Sequence, residues 1–151
     1  MNKSKITIYT DGACKNNPGP GGWAAIIIYQ SKENKITEKI VTGSETYTTN
    51  NRMELLSVIN ALNVLKHPCE INLYTDSQYV KNGITKWLPN WRAKNWRTAN
   101  GSAVKNQDLW EMLDLATKNH NISWHWVKAH NGNLINERVD ELARQAIICD
   151  K

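Results

Sequence analysis

Two aspartates in this chain follow nearly identical hexapeptides. Residues 6–11 are Ile-Thr-Ile-Tyr-Thr-Asp, and residues 71–76 are Ile-Asn-Leu-Tyr-Thr-Asp. Alternating β-branched and aromatic residues predict a β-strand in each copy, ending at Asp11 and Asp76 because Asp-Gly and Asp-Ser are turn signals. If the strands are parallel neighbours, about 4.8 Å apart, both carboxylates meet at one sheet edge. Two such anions repel each other unless a cation lies between them, so a divalent metal site is the first hypothesis and capping is the alternative.

Two further acids could complete such a site. Glu54 stands near the start of a predicted helix, where an Asn51-x-x-Glu54 capping box is the alternative. Asp140 stands in the charged segment 136–144, where a solvated helix face is the alternative. Four carboxylates at one end of a sheet suit magnesium, which prefers hard oxygen ligands. Two such ions about 3.5–4 Å apart can activate a water and stabilise the leaving oxygen of a phosphodiester, so phosphodiester hydrolysis is the predicted reaction class.

An α/β chain with a mixed sheet is predicted to position these acids. Two β-prone runs, Trp23–Gln30 and Lys35–Gly43, follow the first hexapeptide and predict an antiparallel meander. Residues 48–51, Thr-Thr-Asn-Asn, are a helix-start signal, and the apolar period continues to Leu65. The other predicted elements are a short helix from Ser77, a helix over Lys105–Asn119, a strand over Ile122–Val127 and a helix over Leu134–Ile148. This order indicates a five-stranded mixed sheet flanked by helices.

The composition favours one domain in a reducing cytosol. A chain of 151 residues suits a single domain over residues 1–151, and about two-thirds of its surface can be buried on folding. Three scattered cysteines, Cys14, Cys69 and Cys149, are too few for a disulfide framework or a zinc knuckle. No stretch reaches the roughly 18 apolar residues of a membrane span, and the first residues lead into a strand rather than a signal sequence. We therefore expect a soluble, cytoplasmic protein with no membrane partner.

Positive charge is concentrated in the segment Ser77–Gln107. It holds six of the 19 Lys and Arg residues and no acid, so the other 13 basic residues face 14 acidic ones and the net charge of +5 arises here. Trp87, Trp91 and Trp96 are interleaved with these cations. Cations that neutralise phosphates, beside aromatic rings that contact sugars, predict a nucleic-acid interface. The alternative is a helix pair whose Trp residues form a small core beneath solvated cations, and both interpretations fit the pattern.

Six ordered blocks are distributed along almost the whole chain. They are residues 9–14 (Tyr-Thr-Asp-Gly-Ala-Cys), 17–23 (Asn-Pro-Gly-Pro-Gly-Gly-Trp), 48–54 (Thr-Thr-Asn-Asn-Arg-Met-Glu), 74–80 (Tyr-Thr-Asp-Ser-Gln-Tyr-Val), 124–130 (Trp-His-Trp-Val-Lys-Ala-His) and 136–143 (Asn-Glu-Arg-Val-Asp-Glu-Leu-Ala). Together they resemble the type 1 ribonuclease H family, the bacterial ribonuclease HI enzymes. The resemblance implies a ribonuclease H-like fold. It also implies an endoribonuclease that cleaves the RNA strand of RNA–DNA hybrids with magnesium or manganese, leaving 3′-hydroxyl and 5′-phosphate ends.

The same resemblance assigns roles to the candidate catalytic residues. The metal-binding carboxylates that it implies are Asp11, Glu54, Asp76 and Asp140. His130 matches the family's mobile histidine, whose pKa near neutrality suits proton shuttling, in the loop 131–133. The chain departs from the family pattern at Ala129, where glycine is usual, and at residues 133–135. We therefore expect the loop of His130 to be the part that behaves least like the family.

The resemblance also implies how a substrate is held. Asn17, Thr49 and Arg52 match a pocket for a phosphate of the DNA strand, which agrees with N–H donors at a helix start. The positions that match minor-groove contacts are Cys14, Asn17, Asn50, Asn51 and Gln78. Those that match the DNA-strand channel are Trp87 and Trp110, with burial in its apolar helix the alternative for Trp110. The basic protrusion falls at about residues 81–105 and contains Lys86, Trp91, Arg92, Lys94, Trp96 and Arg97.

A monomeric, metal-dependent endoribonuclease is thus the leading hypothesis. A 3′ exonuclease or strand-transfer nuclease of the same chemical superfamily is one alternative, and a circular or end-blocked hybrid separates the two because an exonuclease needs an end. A non-catalytic nucleic-acid-binding module that uses the basic segment alone is another. Four carboxylates argue against it, since a pure binder gains nothing from four anions beside a polyanion.

Overall fold

A computed structural model describes residues 4–31, 33, 35–97, 104–127 and 134–147. In this part of the chain the strands are β1 (Ser4–Cys14), β2 (Gly19–Gln30), β3 (Ile36–Thr48), β4 (Cys69–Thr75) and β5 (Asn121–Trp126). The helices are α1 (Asn50–Val64), α2 (Gln78–Asn82), α3 (Leu88–Ala93), α4 (Gln107–Thr117) and α5 (Leu134–Ala146), and a π-helical turn, Gly83–Trp87, joins α2 to α3. Within those ranges no helix is long and apolar enough to cross a membrane.

The strands form one mixed sheet in the order β3-β2-β1-β4-β5. The β1–β2 and β2–β3 pairs are antiparallel, whereas the β1–β4 and β4–β5 pairs are parallel. The two hexapeptides lie side by side, with Ile6 opposite Ile71 and Tyr9 opposite Tyr74. The predicted α/β fold with a five-stranded mixed sheet is therefore confirmed.

β1 does not end at its aspartate. It continues beyond Asp11 to Cys14, because these residues pair with β2 as far as Cys14 opposite Gly21. The predicted turn at Asp11 is therefore wrong, since the pairing partner overrides the local turn preference of Asp-Gly. β4, in contrast, ends at Thr75, one residue before Asp76.

β2 and β3 are also longer than the sequence predicted. β2 begins at Gly19 rather than Trp23, and β3 continues to Thr48 rather than Gly43, because the two ends pair with each other across a register shift. The long pairing brings the loop before β2 against the start of α1. There the backbone N–H of Asn50 donates a hydrogen bond of 2.9 Å to Oδ1 of Asn17.

Helices cover both faces of the sheet. Because side chains alternate along a strand, Ile8 and Ile27 belong to the core that includes α1 and α4, while Tyr9 and Ile26 belong to the smaller core beneath α5. α5 approaches the sheet closely at Gly22, where an added Cβ would lie 2.4 Å from the carbonyl oxygen of a residue in α5. The fold thus brings a helix to the site edge from each side of the sheet.

α1 begins at Asn50, with Thr49 as its N-cap. The Thr49 hydroxyl accepts a hydrogen bond of 3.3 Å from the backbone N–H of Arg52. Glu54 lies in the second turn rather than the first and is buried, so the capping-box alternative for Glu54 is wrong. The side chain is held inside the protein instead of at the helix end.

The basic segment folds into a helical arm, which we define as residues 78–97. Its indole rings pack on one another: the ring centroids of Trp87 and Trp91 lie 5.8 Å apart, and those of Trp91 and Trp110, on α4, lie 5.5 Å apart. The cations Lys86, Lys94 and Arg97 are exposed. The small Trp core beneath outward cations, which the sequence offered as the alternative, is therefore present in this helical arm.

Candidate metal and nucleic-acid site

Three carboxylates from three separate elements converge at the sheet edge. Asp11 lies within β1, Glu54 within α1, and Asp76 directly after β4. One oxygen from each lies within 4.8 Å of the other two. The prediction that the two hexapeptides bring their aspartates together agrees with this geometry, and the intervening helix adds Glu54.

Gly12 allows α1 to reach this edge. A Cβ added at Gly12 would lie 2.5 Å from the backbone nitrogen of Glu54 and 2.6 Å from the carbonyl carbon of Met53. Only glycine leaves room for a helix backbone at that distance. The backbone N–H of Gly12 also donates a hydrogen bond of 2.9 Å to Oδ1 of Asp11, which orients that carboxylate.

Burial makes two of the three acids hold their protons strongly. Asp11 is 3% exposed and Glu54 is 4% exposed. Burial raises the pKa of Asp11 to about 8; hydrogen bonding with the Glu54 carboxyl offsets part of the rise, and the charges of Asp76 and Asp140 add to it. Burial, followed by the charge of Asp11, raises the pKa of Glu54 well above its usual range. The ionised form of either acid is therefore unfavourable unless a cation compensates its charge.

The donor atoms fit a hard divalent cation. Oδ2 of Asp11 and Oε2 of Glu54 are buried and accept no hydrogen bond from an N–H or hydroxyl group in the described part of the chain. Buried polar atoms without partners are costly in a folded protein and usually mark a ligand or functional site. Clustered carboxylate oxygens of this kind are the ligands that magnesium and manganese prefer. The three residues are therefore suited to hold such an ion.

Asp140 lies at the rim of the same site. It faces a cleft of about 340 Å³ that Asp11, Glu54 and Asp76 also line. Its carboxylate forms an ion pair of 3.1 Å with Nη2 of Arg144, one turn further along α5. The structure therefore brings all four predicted carboxylates to one cleft, with three in a tight cluster and the fourth paired at its edge.

An exposed ion pair links the helix that carries Asp140 to the sheet. The Nη1 and Nη2 atoms of Arg138 both donate to the carboxylate of Glu38 on β3, the first at 2.9 Å. Hydrogen bonding by Arg138 lowers the pKa of Glu38. α5 is thus tied to an edge strand two residues before Asp140.

Several residues expected to contact a substrate line the same cleft. Asn50, Asn51 and Gln78 form part of its wall. So do Ser77 and Tyr79, which the sequence did not single out for a role. Their signal was their place directly after Asp76, because a helix that starts at a strand end must present its first turn to the site.

Tyr79, at the start of the helical arm, joins the cleft to α4. Its phenol oxygen accepts hydrogen bonds from Nε1 of Trp110 at 3.0 Å and from Nδ2 of Asn106 at 3.1 Å. Trp110 itself is completely buried. A direct contact between Trp110 and the DNA strand is therefore corrected to a supporting position beneath Tyr79, and the burial alternative holds. Trp87 remains half-buried, with part of its ring open to solvent.

Arg52 is already paired in this structure. Its guanidinium donates two hydrogen bonds to the carboxylate of Asp108, at 3.0 and 2.8 Å, and a third to Oδ1 of Asn106 at 3.2 Å. A DNA phosphate would have to compete with that carboxylate, which the expectation for Arg52 did not foresee. Arg92 of the helical arm is likewise paired, with Asp114 on α4.

Cys14 and His130 complete the predicted site residues. The Cys14 thiol is half-buried and donates towards the carbonyl oxygens of Thr48 at 3.4 Å and Gly19 at 3.5 Å. His130, Ala129 and residues 131–133 lie outside the described residues. The role of His130 and the behaviour of its loop therefore stay predictions.

This sheet order, with acidic side chains from β1, from α1 and from the residue after β4 clustered at one edge, places the chain among the metal-dependent nucleases. The family model described as RNase H matches residues 3–148. The chain belongs to the ribonuclease H family.

Close relatives and solved structures agree with this assignment. The chain is 56% identical over 142 residues to a ribonuclease H of Hahella chejuensis, covering 94% of this chain and 93% of that protein. It is 55% identical over 148 residues to a ribonuclease H of a Wolbachia from Drosophila simulans, covering 98% and 99%. The structure of LC9-RNase H1, described as a type 1 RNase H with the type 2 active-site motif, superimposes with a TM-score of 0.89 at 32% identity, over 97% of this chain and 74% of that one.

A more distant structure shares the fold alone. LC11-RNase H1, solved in complex with an RNA/DNA hybrid, matches with a TM-score of 0.70 at 20% identity, over 94% of this chain and 96% of that one. The predicted ribonuclease H-like fold and family are thus confirmed.

Proposed function

We propose that this protein is an endoribonuclease that hydrolyses the RNA strand of RNA–DNA hybrids and leaves 5′-phosphate and 3′-hydroxyl ends. The observation that carries the proposal is the cluster of Asp11, Glu54 and Asp76, in which two buried oxygens lack hydrogen-bond donors from the described residues. Its metal is Mg²⁺, with Mn²⁺ as a substitute. Membership of the ribonuclease H family supports the hybrid as substrate.

The four carboxylates differ in role because their surroundings differ. Asp11 and Glu54 form the rigid base of the site, because both are buried and α1 packs directly on Gly12. Asp76 completes the cluster, and Asp140 reaches in from the rim. Together these four carboxylates would hold divalent cations, which would supply an activated water and positive charge at the leaving oxygen. His130 is the proposed proton carrier at the edge of this site.

The cleft wall and the helical arm hold the hybrid. The amides of Asn50, Asn51 and Gln78 reach base edges and 2′-hydroxyl groups without demanding a sequence. The residues proposed to contact the DNA strand and its phosphates are Cys14, Asn17, Thr49, Arg52 and Trp87, with Trp110 in support. The proposed electrostatic contacts of the helical arm come from Lys86, Arg92, Lys94 and Arg97, beside Trp91 and Trp96. We also propose that residues 1–151 form one domain that works as a monomer in the cytoplasm.

The decisive assay compares three uniformly labelled duplexes: an RNA–DNA hybrid, the matching RNA duplex and the matching DNA duplex. Each is incubated with Mg²⁺, Mn²⁺ or a chelator. We expect cleavage of the hybrid alone, in its RNA strand, and only with metal. Asp11→Asn and Asp76→Asn should each abolish cleavage almost completely while hybrid binding is largely kept, because the amide loses the charge that holds the ion.

Two results would reject the proposal. Undiminished cleavage by either variant would show that the cluster is not the catalytic site. Failure to cut a circular or end-blocked hybrid, with cutting of the linear one, would make the protein an exonuclease instead.

A further inference from the structure

The indole of Trp126 touches the backbone of a metal-binding residue. Trp126 is the last residue of β5 and lies opposite Thr75, the last residue of β4. Its Nε1 donates a hydrogen bond of 3.2 Å to the carbonyl oxygen of Asp76. The side chain is 39% exposed, so water could satisfy this N–H. The indole N–H instead donates to the carbonyl group of Asp76, where the chain leaves β4 towards the site.

The strand register that includes Asp11 ends one residue before Asp76. Asp11 lies within β1 and pairs with Ala24 on β2, whereas Asp76 lies beyond the last residue of β4. The register of the sheet therefore fixes the backbone of Asp11 but not that of Asp76. A carboxylate whose position matters to a fraction of an ångström requires support from neighbouring groups.

Hydrogen bonds clamp the chain on both sides of this residue. The carbonyl oxygen of Thr75 accepts from the backbone N–H of Val127 at 2.9 Å, and its hydroxyl oxygen accepts from the backbone N–H of Ser77 at 3.1 Å. The indole of Trp126 supplies the third contact, on Asp76 itself. Two of these three donors come from the end of β5, so that end supports the metal site although it contributes no ligand.

The Trp126 ring is itself held in place. The Lys81 ammonium of α2 lies 5.1 Å from the ring centroid, a cation–π arrangement. The ring also lines a pocket of about 70 Å³ with Ile84 and Trp124. A ring fixed between β5 and α2 presents its N–H in one direction.

We infer that Trp126 is a positioning residue, which fixes the backbone of Asp76 through its indole N–H and thereby sets the metal affinity of the carboxylate cluster. This inference rests on the proposed function for the identity of the reaction, but its primary readout is metal binding. Lys81 acts one step further out, by holding the ring.

The test compares Trp126→Phe with the matched control Trp124→Phe. Both residues lie on the same side of β5 and line the same pocket, but the indole of Trp126 is the one bonded to Asp76. Mn²⁺ binding to the substrate-free protein is followed by electron paramagnetic resonance of the free ion. We expect Trp126→Phe to weaken binding about tenfold, the lower end of the effect of removing a group that supports a metal ligand. Trp124→Phe should keep the affinity of the unsubstituted protein.

Steady-state kinetics with the hybrid provide the second readout. At fixed Mg²⁺ below saturation, Trp126→Phe should lower kcat by a similar factor and leave KM for the hybrid within about twofold, because the indole acts on the metal ligand rather than on substrate binding. A second variant carries benzothienylalanine at position 126, which replaces the indole N–H by sulfur and keeps the shape of the ring. It should reproduce the weakened Mn²⁺ binding, and it decides the question if Trp126→Phe does not fold.

Each outcome is decisive. Equal Mn²⁺ affinities for the position-126 variants and Trp124→Phe would overturn the inference, and so would a change confined to KM, which would make Trp126 a substrate contact. Mn²⁺ binding that depends on the indole N–H, in a protein that cuts no hybrid, would leave the inference standing and reject the proposed function.

Discussion

Asp11 and Asp76 end the same hexapeptide and lie on neighbouring strands, yet their surroundings differ. Asp11 is buried inside a strand, paired with Ala24, and followed by a glycine on which α1 packs. Asp76 is half-buried, lies beyond its strand and is followed by a serine that caps α2. The repeated sequence thus forms a β-strand in both places. The neighbouring elements determine how rigidly each carboxylate is held and how much solvent reaches it.

The largest loss of stability is expected from a substitution at Gly12, the residue after Asp11. Gly12→Ala places a Cβ 2.5 Å from a backbone atom of α1, which cannot move without shifting the helix. We expect a loss of about 3 kcal/mol in the free energy of unfolding, at the upper end of overpacking effects. Hybrid cleavage should fall with it, because Glu54 moves with the helix. Urea unfolding measures the loss, and a change below about 1 kcal/mol would mean that α1 slides away freely.

The burial of Asp11 predicts an unusual pH dependence in the metal-free protein. Its pKa rises from the usual 3.8 to about 8, so between these values the folded state keeps a proton that the unfolded state has lost. The stability contributed by this proton is therefore lost as pH rises from about 4 to 8. We expect the free energy of unfolding in chelator to fall by about 2 kcal/mol between pH 5 and pH 8, and saturating Mg²⁺ to remove much of this slope.

Two variants test whether this pH dependence of the free energy of unfolding comes from Asp11 or from Asp76. Asp11→Asn should remove the share of the slope that Asp11 contributes and leave the share of Glu54, whose pKa burial also raises. Asp76→Asn should reduce the slope only in part, because the charge of Asp76 is a smaller cause of the shift than burial. Parallel curves for the unsubstituted protein and Asp11→Asn would contradict the prediction.

Ser77→Ala is the counterpart of the Gly12 substitution and should cost less. The Ser77 hydroxyl accepts a hydrogen bond of 3.1 Å from the backbone N–H of Val80 at the start of α2. Loss of an N-cap of this kind costs about 1 kcal/mol. Thermal unfolding of Ser77→Ala and Gly12→Ala gives the ratio of their stability losses. Equal losses would mean that the residues after Asp11 and Asp76 contribute alike to stability.

The smallest effect is expected at the rim. Arg144→Gln removes the partner of Asp140, but Arg144 is 63% exposed and the pair links neighbouring turns of α5. Such pairs contribute no more than about 0.5 kcal/mol in water. A loss above about 1 kcal/mol in urea unfolding would contradict this prediction, because it would exceed the contribution of an exposed pair within one helix.

The sequence predicted most of this arrangement where the signal was local or repeated. The hexapeptides predicted two adjacent strands, and the apolar period after residue 50 predicted α1. The predicted turn at Asp11 failed because the partner that extends β1 lies in β2 and is not visible in the dipeptide itself. Likewise, nothing local shows that Arg52 meets Asp108, since 56 residues separate them.

The status of Glu54 and Trp110 depended on tertiary contacts. A glutamate near a helix start is compatible with capping until the contact between α1 and Gly12 shows that it is buried. An indole on an amphipathic helix is compatible with a substrate contact until the neighbouring rings cover it. Periodicity identifies the face of a helix, but only the packing partner tells whether that face is closed.

The edge strand β3 carries a further consequence of its ion pair with α5. A long strand at the edge of a sheet exposes backbone groups that can pair with another chain and lead to aggregation. β3 spans Ile36–Thr48 and exposes Ile36 and Ile40 to solvent, but the charged side chain of Glu38 stands between them on the same face. Glu38, which Arg138 contacts from α5, thus also places a charged ion pair at the edge where a second molecule would otherwise add a strand.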